Sequence, residues 1–170
     1  MPAGIDLERI YDDHAQALFA FLLNLTRNEA DTRDLLQELL CRLAANPAQL
    51  EGVRSERAFL LRAAHNLCVD QVRRRATRDR VRAELAGEPE RLFAPSPDPD
   101  TQAFREVLNQ ALAALPSDQR AVIHLKLWEN FTFEQISETL DIPLNTAASR
   151  YRYGLDKLQT RLRPLYEEIS

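Results

Sequence analysis

Four of the chain's nine prolines fall within residues 87–100, in the stretch GEPERLFAPSPDPD. Proline fixes φ, lacks the amide hydrogen that a helix or sheet ladder needs, and pushes the preceding residue out of the α region. The stretch therefore reads as a linker. It divides the 170 residues into two segments, each of which must close a core of its own. Both segments carry helical periodicity, so the expected fold is all-α. Two small helical domains, residues 1–85 and 104–170, are joined by an acidic, proline-rich linker over 86–103. With only four glycines in the chain, the hairpin turns of an all-β fold have little to work with.

In the first segment Ile10, His14, Ala17, Leu18, Phe21, Leu22 and Leu25 recur at the spacing of an amphipathic helix. Arg27-Asn28-Glu29 breaks that pattern, and Asn28 is placed to cap a second helix carrying Leu35, Leu36, Leu39, Leu40 and Leu43. Asn46-Pro47 should end it. After a short loop over 47–54, a third long helix is expected over about 56–82, with Leu60, Leu61, Ala64, Leu67, Cys68 and Val72 on its apolar side. Beyond the linker, 104–115 reads as a helix closed by Pro116, and Ser117 can cap another through about Glu129. Thr132-Phe133-Glu134-Gln135 fits a capping box, opening a helix with Ile136 and Leu140 inward. Residues 141–144 form a tight turn, after which Asn145 can cap a last helix through Leu162. Helix, short turn and helix make a helix-turn-helix, the second domain's candidate for entering a DNA groove.

The net charge of −4 hides an uneven distribution: residues 54–82 hold nine basic side chains against three acidic ones, while the rest of the chain is acidic. Phosphate contacts would have to concentrate in that segment, where Arg54, Arg57 and Arg62 stand near the start of the third helix and Arg73, Arg74, Arg75, Arg78, Arg80 and Arg82 near its end. A triple arginine wraps much of a helix, so part of it faces solvent whatever the packing. The plainer reading is a solvated helix end whose arginines complement the C-terminal dipole.

Other chemistries find little support. No apolar run reaches the roughly 18 residues of a membrane span. The first ten residues lack the basic-then-apolar pattern of a secretory signal. Two cysteines make no disulfide framework, so a cytoplasmic protein without membrane insertion is expected. There is no glycine-rich phosphate loop, and none of His14, His65 and His124 has a glutamate three residues earlier. His65 and Cys68 with Cys41 could be drawn as a metal site, but a buried thiol is the commoner state of a cysteine on an apolar helix face. No catalytic residue, metal or cofactor is expected.

Several motifs stand in a fixed order. Asp34-Leu35-Leu36-Gln37-Glu38 is followed by Phe59-Leu60 and by Asn66-Leu67-Cys68-Val69-Asp70-Gln71-Val72-Arg73-Arg74. After the linker come Leu115-Pro116, Phe133-Glu134-Gln135-Ile136 and Thr146-Ala147-Ala148-Ser149-Arg150. Together these resemble the extracytoplasmic-function (ECF) group of bacterial sigma factors across nearly the whole chain. The resemblance implies a first domain that binds the clamp of RNA polymerase core and opens promoter DNA at the minus-ten element. It implies a second domain that binds the polymerase flap and the minus-thirty-five element. Asp34, Leu35, Gln37 and Glu38 are then the polymerase-binding residues. Phe59, Arg62, Asn66, Asp70, Arg73 and Arg74 serve the minus-ten element, and Lys126, Thr132, Thr146, Ala148, Ser149, Arg150, Arg152 and Tyr153 the minus-thirty-five element.

Physical chemistry fits these roles. An acidic, amide-bearing face on the second helix suits a basic partner. Melted DNA is held by captured bases and by cations along the strand: Arg62, Arg73 and Arg74 for phosphates, Asn66 for a base edge or backbone, and Asp70 to orient a neighbour. Phe59 either stacks on a base or packs in the core. The loop before the third helix should set base choice. The chain departs from the family in its last helix. Ala148 and Tyr153 stand where basic residues are usual, and Asn145 replaces a glycine. Each lost base or phosphate contact removes on the order of 1–3 kcal/mol, so minus-thirty-five recognition should be weak or unusual. Tyr151 and Tyr153 either touch DNA or pack.

The resemblance also implies control by an anti-sigma factor. Two other readings fit part of the sequence. A helix-turn-helix repressor or activator would leave the Asp34-Gln37-Glu38 face idle, and a sigma-like adaptor without promoter binding would suit Ala148 and the acidic pI near 5.5.

Overall fold

The computed structural model describes residues 5–78 and 98–169, in two compact units, Met1–Glu88 and Pro89–Ser170. Every regular element among the described residues is helical, so the fold is all-α, two helical domains with a linker between them.

The first unit contains α1 (Leu7–Thr26), α2 (Glu29–Ala45), a 3-10 turn (Pro47–Leu50) and α3 (Glu56–Arg78). Arg27 ends α1 in the left-handed region, φ 54°, and its amide donates to the Leu23 carbonyl at 2.8 Å. Asn28 then caps α2, its Oδ1 accepting from the Asp31 amide at 3.0 Å. The hydroxyls of Thr26 and Thr32 meet at 2.8 Å across the same corner. The three helices enclose one core in which Ile10, Leu18, Phe21, Leu22, Leu35, Leu39, Leu43, Leu60, Leu61 and Ala64 are buried. Asn46-Pro47 stops α2 as the sequence requires.

Val72 is not on the buried side: it is 60% exposed. Burial along α3 ends at Cys68 and residues 72–76 are all exposed, so the apolar spacing outruns the core it would face. The side chain of Arg78, together with Arg80, Arg82 and the linker through residue 97, lies outside the described residues.

The second unit contains α4 (Pro99–Ala113), α5 (Ser117–Leu127), α6 (Phe133–Leu140) and α7 (Leu144–Ile169). Helix α4 begins five residues before the expected Phe104. Asp98 caps it, accepting from the Asp100 amide at 3.2 Å and the Thr101 hydroxyl at 2.6 Å. Pro99 sits in the first turn, where its missing N–H leaves no bond unmade. The last proline of the run opens a helix. Ser117 is the first residue of α5 and not its cap, which is Pro116. Asn145 likewise lies inside α7, whose first bond runs from the Ala147 amide to the Pro143 carbonyl at 3.0 Å. That helix continues through Pro164, past its expected end at Leu162.

Ala111, Leu112, Leu115, Ile123 and Leu158 form the heart of the second core, with Leu108, Tyr151 and Leu155 packed against it. Gly154 lets α7 approach α5 closely, since a Cβ there would lie 3.1 Å from Cγ1 of Ile123. The capping box of α6 is complete: the Thr132 hydroxyl accepts from the Gln135 backbone amide at 3.1 Å and the side-chain Oε1 of Gln135 accepts from the Thr132 backbone amide at 2.8 Å.

His124, buried in α5, stacks on Trp128 with ring centroids 5.4 Å apart. Desolvation pushes its pKa down to about 4. Above pH 6.5 the ring is neutral in both states and contributes no pH dependence. As pH falls from about 6.5 to 4 the unfolded chain takes a proton that the folded one refuses, and the second unit loses about 3 kcal/mol. Urea unfolding followed by Trp128, the chain's single tryptophan, should show a midpoint that falls across that window. His124→Leu should flatten the fall; an unchanged slope would assign the acid sensitivity to other groups.

Candidate functional site

The cationic helix presents one polar stripe. Arg62, Asn66, Asp70, Arg73 and Arg74 are all exposed, and at helical spacing they fall within about 120° of arc. Phe59 lies on the same arc, half-buried at the base of the stripe. Asp70 stands one turn from Asn66 and one turn from Arg73 and Arg74, placed to orient any of them. The stripe starts beside the loop over residues 51–55, in which Gly52 takes φ +73°, a region open to glycine at little strain. Ser55 accepts from the Ala58 amide at 3.1 Å and so caps α3.

The first residue of α3 is pinned to α1. Arg9 donates to both carboxylate oxygens of Glu56, at 3.0 and 2.9 Å, and Nε2 of His14 lies 2.8 Å from Oε1. The Arg9 guanidinium, assisted by His14 against a partial desolvation, holds the Glu56 pKa down at about 2. The three arginines in a row do not act alike. Arg75 turns to the other side of α3 and forms a two-bond ion pair with Asp31 of α2 at 2.6 Å.

On α2, Asp34 and Gln37 are exposed and Glu38 is half-exposed, its carboxylate 2.7 Å from Arg42 one turn on. Cys41 is exposed on the same helix, whereas Cys68 is buried in α3. Leu35 belongs to the core at 2% exposure. With Leu39 and Leu43, which are also buried, it anchors the side of α2 that faces the core and leaves Asp34 and Gln37 outward.

In the second unit α6, the turn at residues 141–143 and α7 form the helix-turn-helix. Arg152 and Tyr153 are exposed, while Thr146, Ala148 and Ser149 are half-buried. The Arg152 guanidinium lies over the Tyr153 ring, 5.2 Å from its centroid, and the Lys126 ammonium lies 4.7 Å from the centroid of Phe133. Arg150 is engaged elsewhere: its Nε is 3.4 Å from a carboxylate oxygen of Asp118, which braces α7 against α5. Tyr151 packs edge-on to Phe133 at 5.5 Å and is partly buried against the second core. The Thr132 hydroxyl oxygen accepts within the capping box, and the residue is exposed.

Nothing in the sequence marks Arg9, His14, Glu56, Asp31 and Arg75 as interacting groups. Their pairs are more than forty residues apart, and no local pattern encodes such a meeting.

One helical unit thus carries a cationic stripe and the other a helix-turn-helix, an arrangement suited to binding DNA. The chain matches sigma-70 region 2 over residues 10–78 and sigma-70 region 4 over residues 111–160. It is 32% identical over 162 residues to the ECF RNA polymerase sigma factor SigL of Mycobacterium tuberculosis, an alignment spanning 94% of this chain and 90% of SigL. It is 28% identical over 165 residues to SigX of Bacillus subtilis, covering 94% and 85% of the two chains. Among solved structures, the sigma factor RpoE of Bartonella quintana, crystallised with the anti-sigma factor NepR, superposes with a TM-score of 0.74 at 25% identity, over 93% of this chain and 97% of that one. The chain belongs to the ECF family of RNA polymerase sigma factors. As such it directs RNA polymerase core to promoter DNA and initiates transcription. No described helix is long and apolar enough to cross a membrane.

Proposed function

We propose a division of labour in which the Asp34–Gln37–Glu38 face of α2 binds the polymerase clamp, the α3 stripe holds the melted minus-ten strand, and α7 reads the minus-thirty-five element weakly. The observation that carries this reading is the stripe itself. Arg62, Asn66, Arg73 and Arg74 place cations and an amide along one exposed edge, as a single strand requires. The protein works by binding, not as an enzyme, in the cytoplasm where polymerase is. With Ala148 lacking a polar group and Arg150 turned to Asp118, Lys126, Thr132, Thr146, Ser149, Arg152 and Tyr153 are left to serve the minus-thirty-five contact. An anti-sigma factor holds the free protein, a reading supported by the likeness to RpoE, which was solved in such a complex.

In vitro transcription from a pooled promoter library, with core polymerase and with or without this protein, tests the assignment. New start sites should share a constrained minus-ten sequence and a loosely constrained minus-thirty-five sequence. A minus-thirty-five element as sharply defined as the minus-ten element would overturn the weak-recognition reading of α7.

A further inference from the structure

The arginine run at the end of α3 is divided by its surroundings. Past Cys68 no residue is buried up to Ala76, so apolar packing does not set where these turns point. The tie found there is polar. One Nη of Arg75 donates to Oδ2 of Asp31 and the other to Oδ1, each at 2.6 Å. A parallel fork of this kind fixes the plane of the guanidinium as well as its distance. The Asp31 side chain is only 14% exposed, so solvent screens the pair less than an open surface pair. Asp31 is itself held in the first turn of α2, through its amide on the Asn28 cap. One turn further along α2 stands Asp34, and immediately before Arg75 stand Arg73 and Arg74.

We propose that the Asp31–Arg75 pair is a positioning clamp, which sets the direction of the arginine turns of α3 against α2 so that polymerase binding through α2 presents Arg73 and Arg74 to the melted strand in register. This rests on the roles given to α2 and α3 above. Arg75 is a positioning residue, turned away from the stripe by about 100° from Arg74. The electrostatics separate this role from a direct DNA contact. An acid beside strand-holding arginines lowers their attraction for phosphate. Removing the Asp31 charge should strengthen DNA binding if position does not matter, and weaken promoter opening if it does.

The test uses full-length Asp31→Asn, Arg75→Gln and the double variant, assayed as holoenzyme for core affinity and for open-complex formation below the unfolding temperature of each. Each single variant is expected to bind core within about twofold of wild type and to open promoters roughly tenfold less, with the double variant no worse than either single. Arg75→Lys, which keeps the charge but loses the fork, should share the defect. Normal or enhanced opening by Asp31→Asn overturns the clamp, as do defects that multiply in the double variant. Loss of core affinity by Asp31→Asn also overturns it, by placing Asp31 in the polymerase contact. Arg73→Ala with Arg74→Ala in the same assay separates the two levels. Normal opening there overturns the α3 assignment and the clamp with it, whereas a defect there beside normal opening by Asp31→Asn overturns the clamp alone.

Discussion

Replacing Arg73 and Arg74 together with alanine is expected to lower open-complex formation roughly thirtyfold while core polymerase binds with nearly unchanged affinity. The estimate takes about 1 kcal/mol for each exposed phosphate contact, and each tenfold corresponds to about 1.4 kcal/mol. Two phosphates on a single strand should also flatten the salt dependence, lowering the log–log slope by about 1.4. Neither side chain contributes to the core, since both are exposed and lie beyond the last buried residue of α3. Thermal stability of the first unit should therefore change little. Permanganate footprinting of the melted region across a salt series, beside a core-binding titration, measures both quantities. Equal loss of opening and of core affinity would mean that the end of α3 is structural.

Asp34→Ala with Glu38→Ala should do the reverse. Core affinity is expected to fall by about thirtyfold or more, corresponding to about 2 kcal/mol or more for close charge pairs at an interface, with the greatest loss at low salt. Within the free protein the change is small. The Glu38–Arg42 pair spans one helical turn at 2.7 Å, an arrangement that adds about 0.2–0.5 kcal/mol to a helix, and Asp34 is exposed. A large affinity loss with an unshifted melting temperature is thus the signature of a contact face. Core affinity equal to wild type would remove α2 from the polymerase interface.

The helices were legible because their signals are local. Asn28, Thr132 and Asn46-Pro47 each act within four residues, and each does in the structure what its chemistry dictates. The misplacements share a cause, which is that one residue type serves two positions. Proline ends helices but also opens them, so the run of prolines concealed the start of α4 at Pro99. Serine and asparagine cap helices but also sit in their first turn, as Ser117 and Asn145 do. Leu35 stands inside a motif with Asp34, Gln37 and Glu38, yet its spacing with Leu39 and Leu43 turns it into the core. Arg75 and Arg150 could not be separated from their neighbours by sequence. Which arginine meets an acid depends on Asp31 and Asp118, whose approach is set by how helices pack.

The ending of burial at Cys68, with helix continuing to Arg78, has a consequence for how such proteins diverge. Residues that hold a core are filtered first by folding, whatever else they do, and most changes to them are lost. The exposed turns escape that filter, so on the roles proposed above a change at Arg73 or Arg74 spares folding and is felt in how firmly the melted strand is held. A copy of this gene could tune the strength of promoter opening through these few positions while its folding stays intact, provided the Asp31–Arg75 anchor is kept.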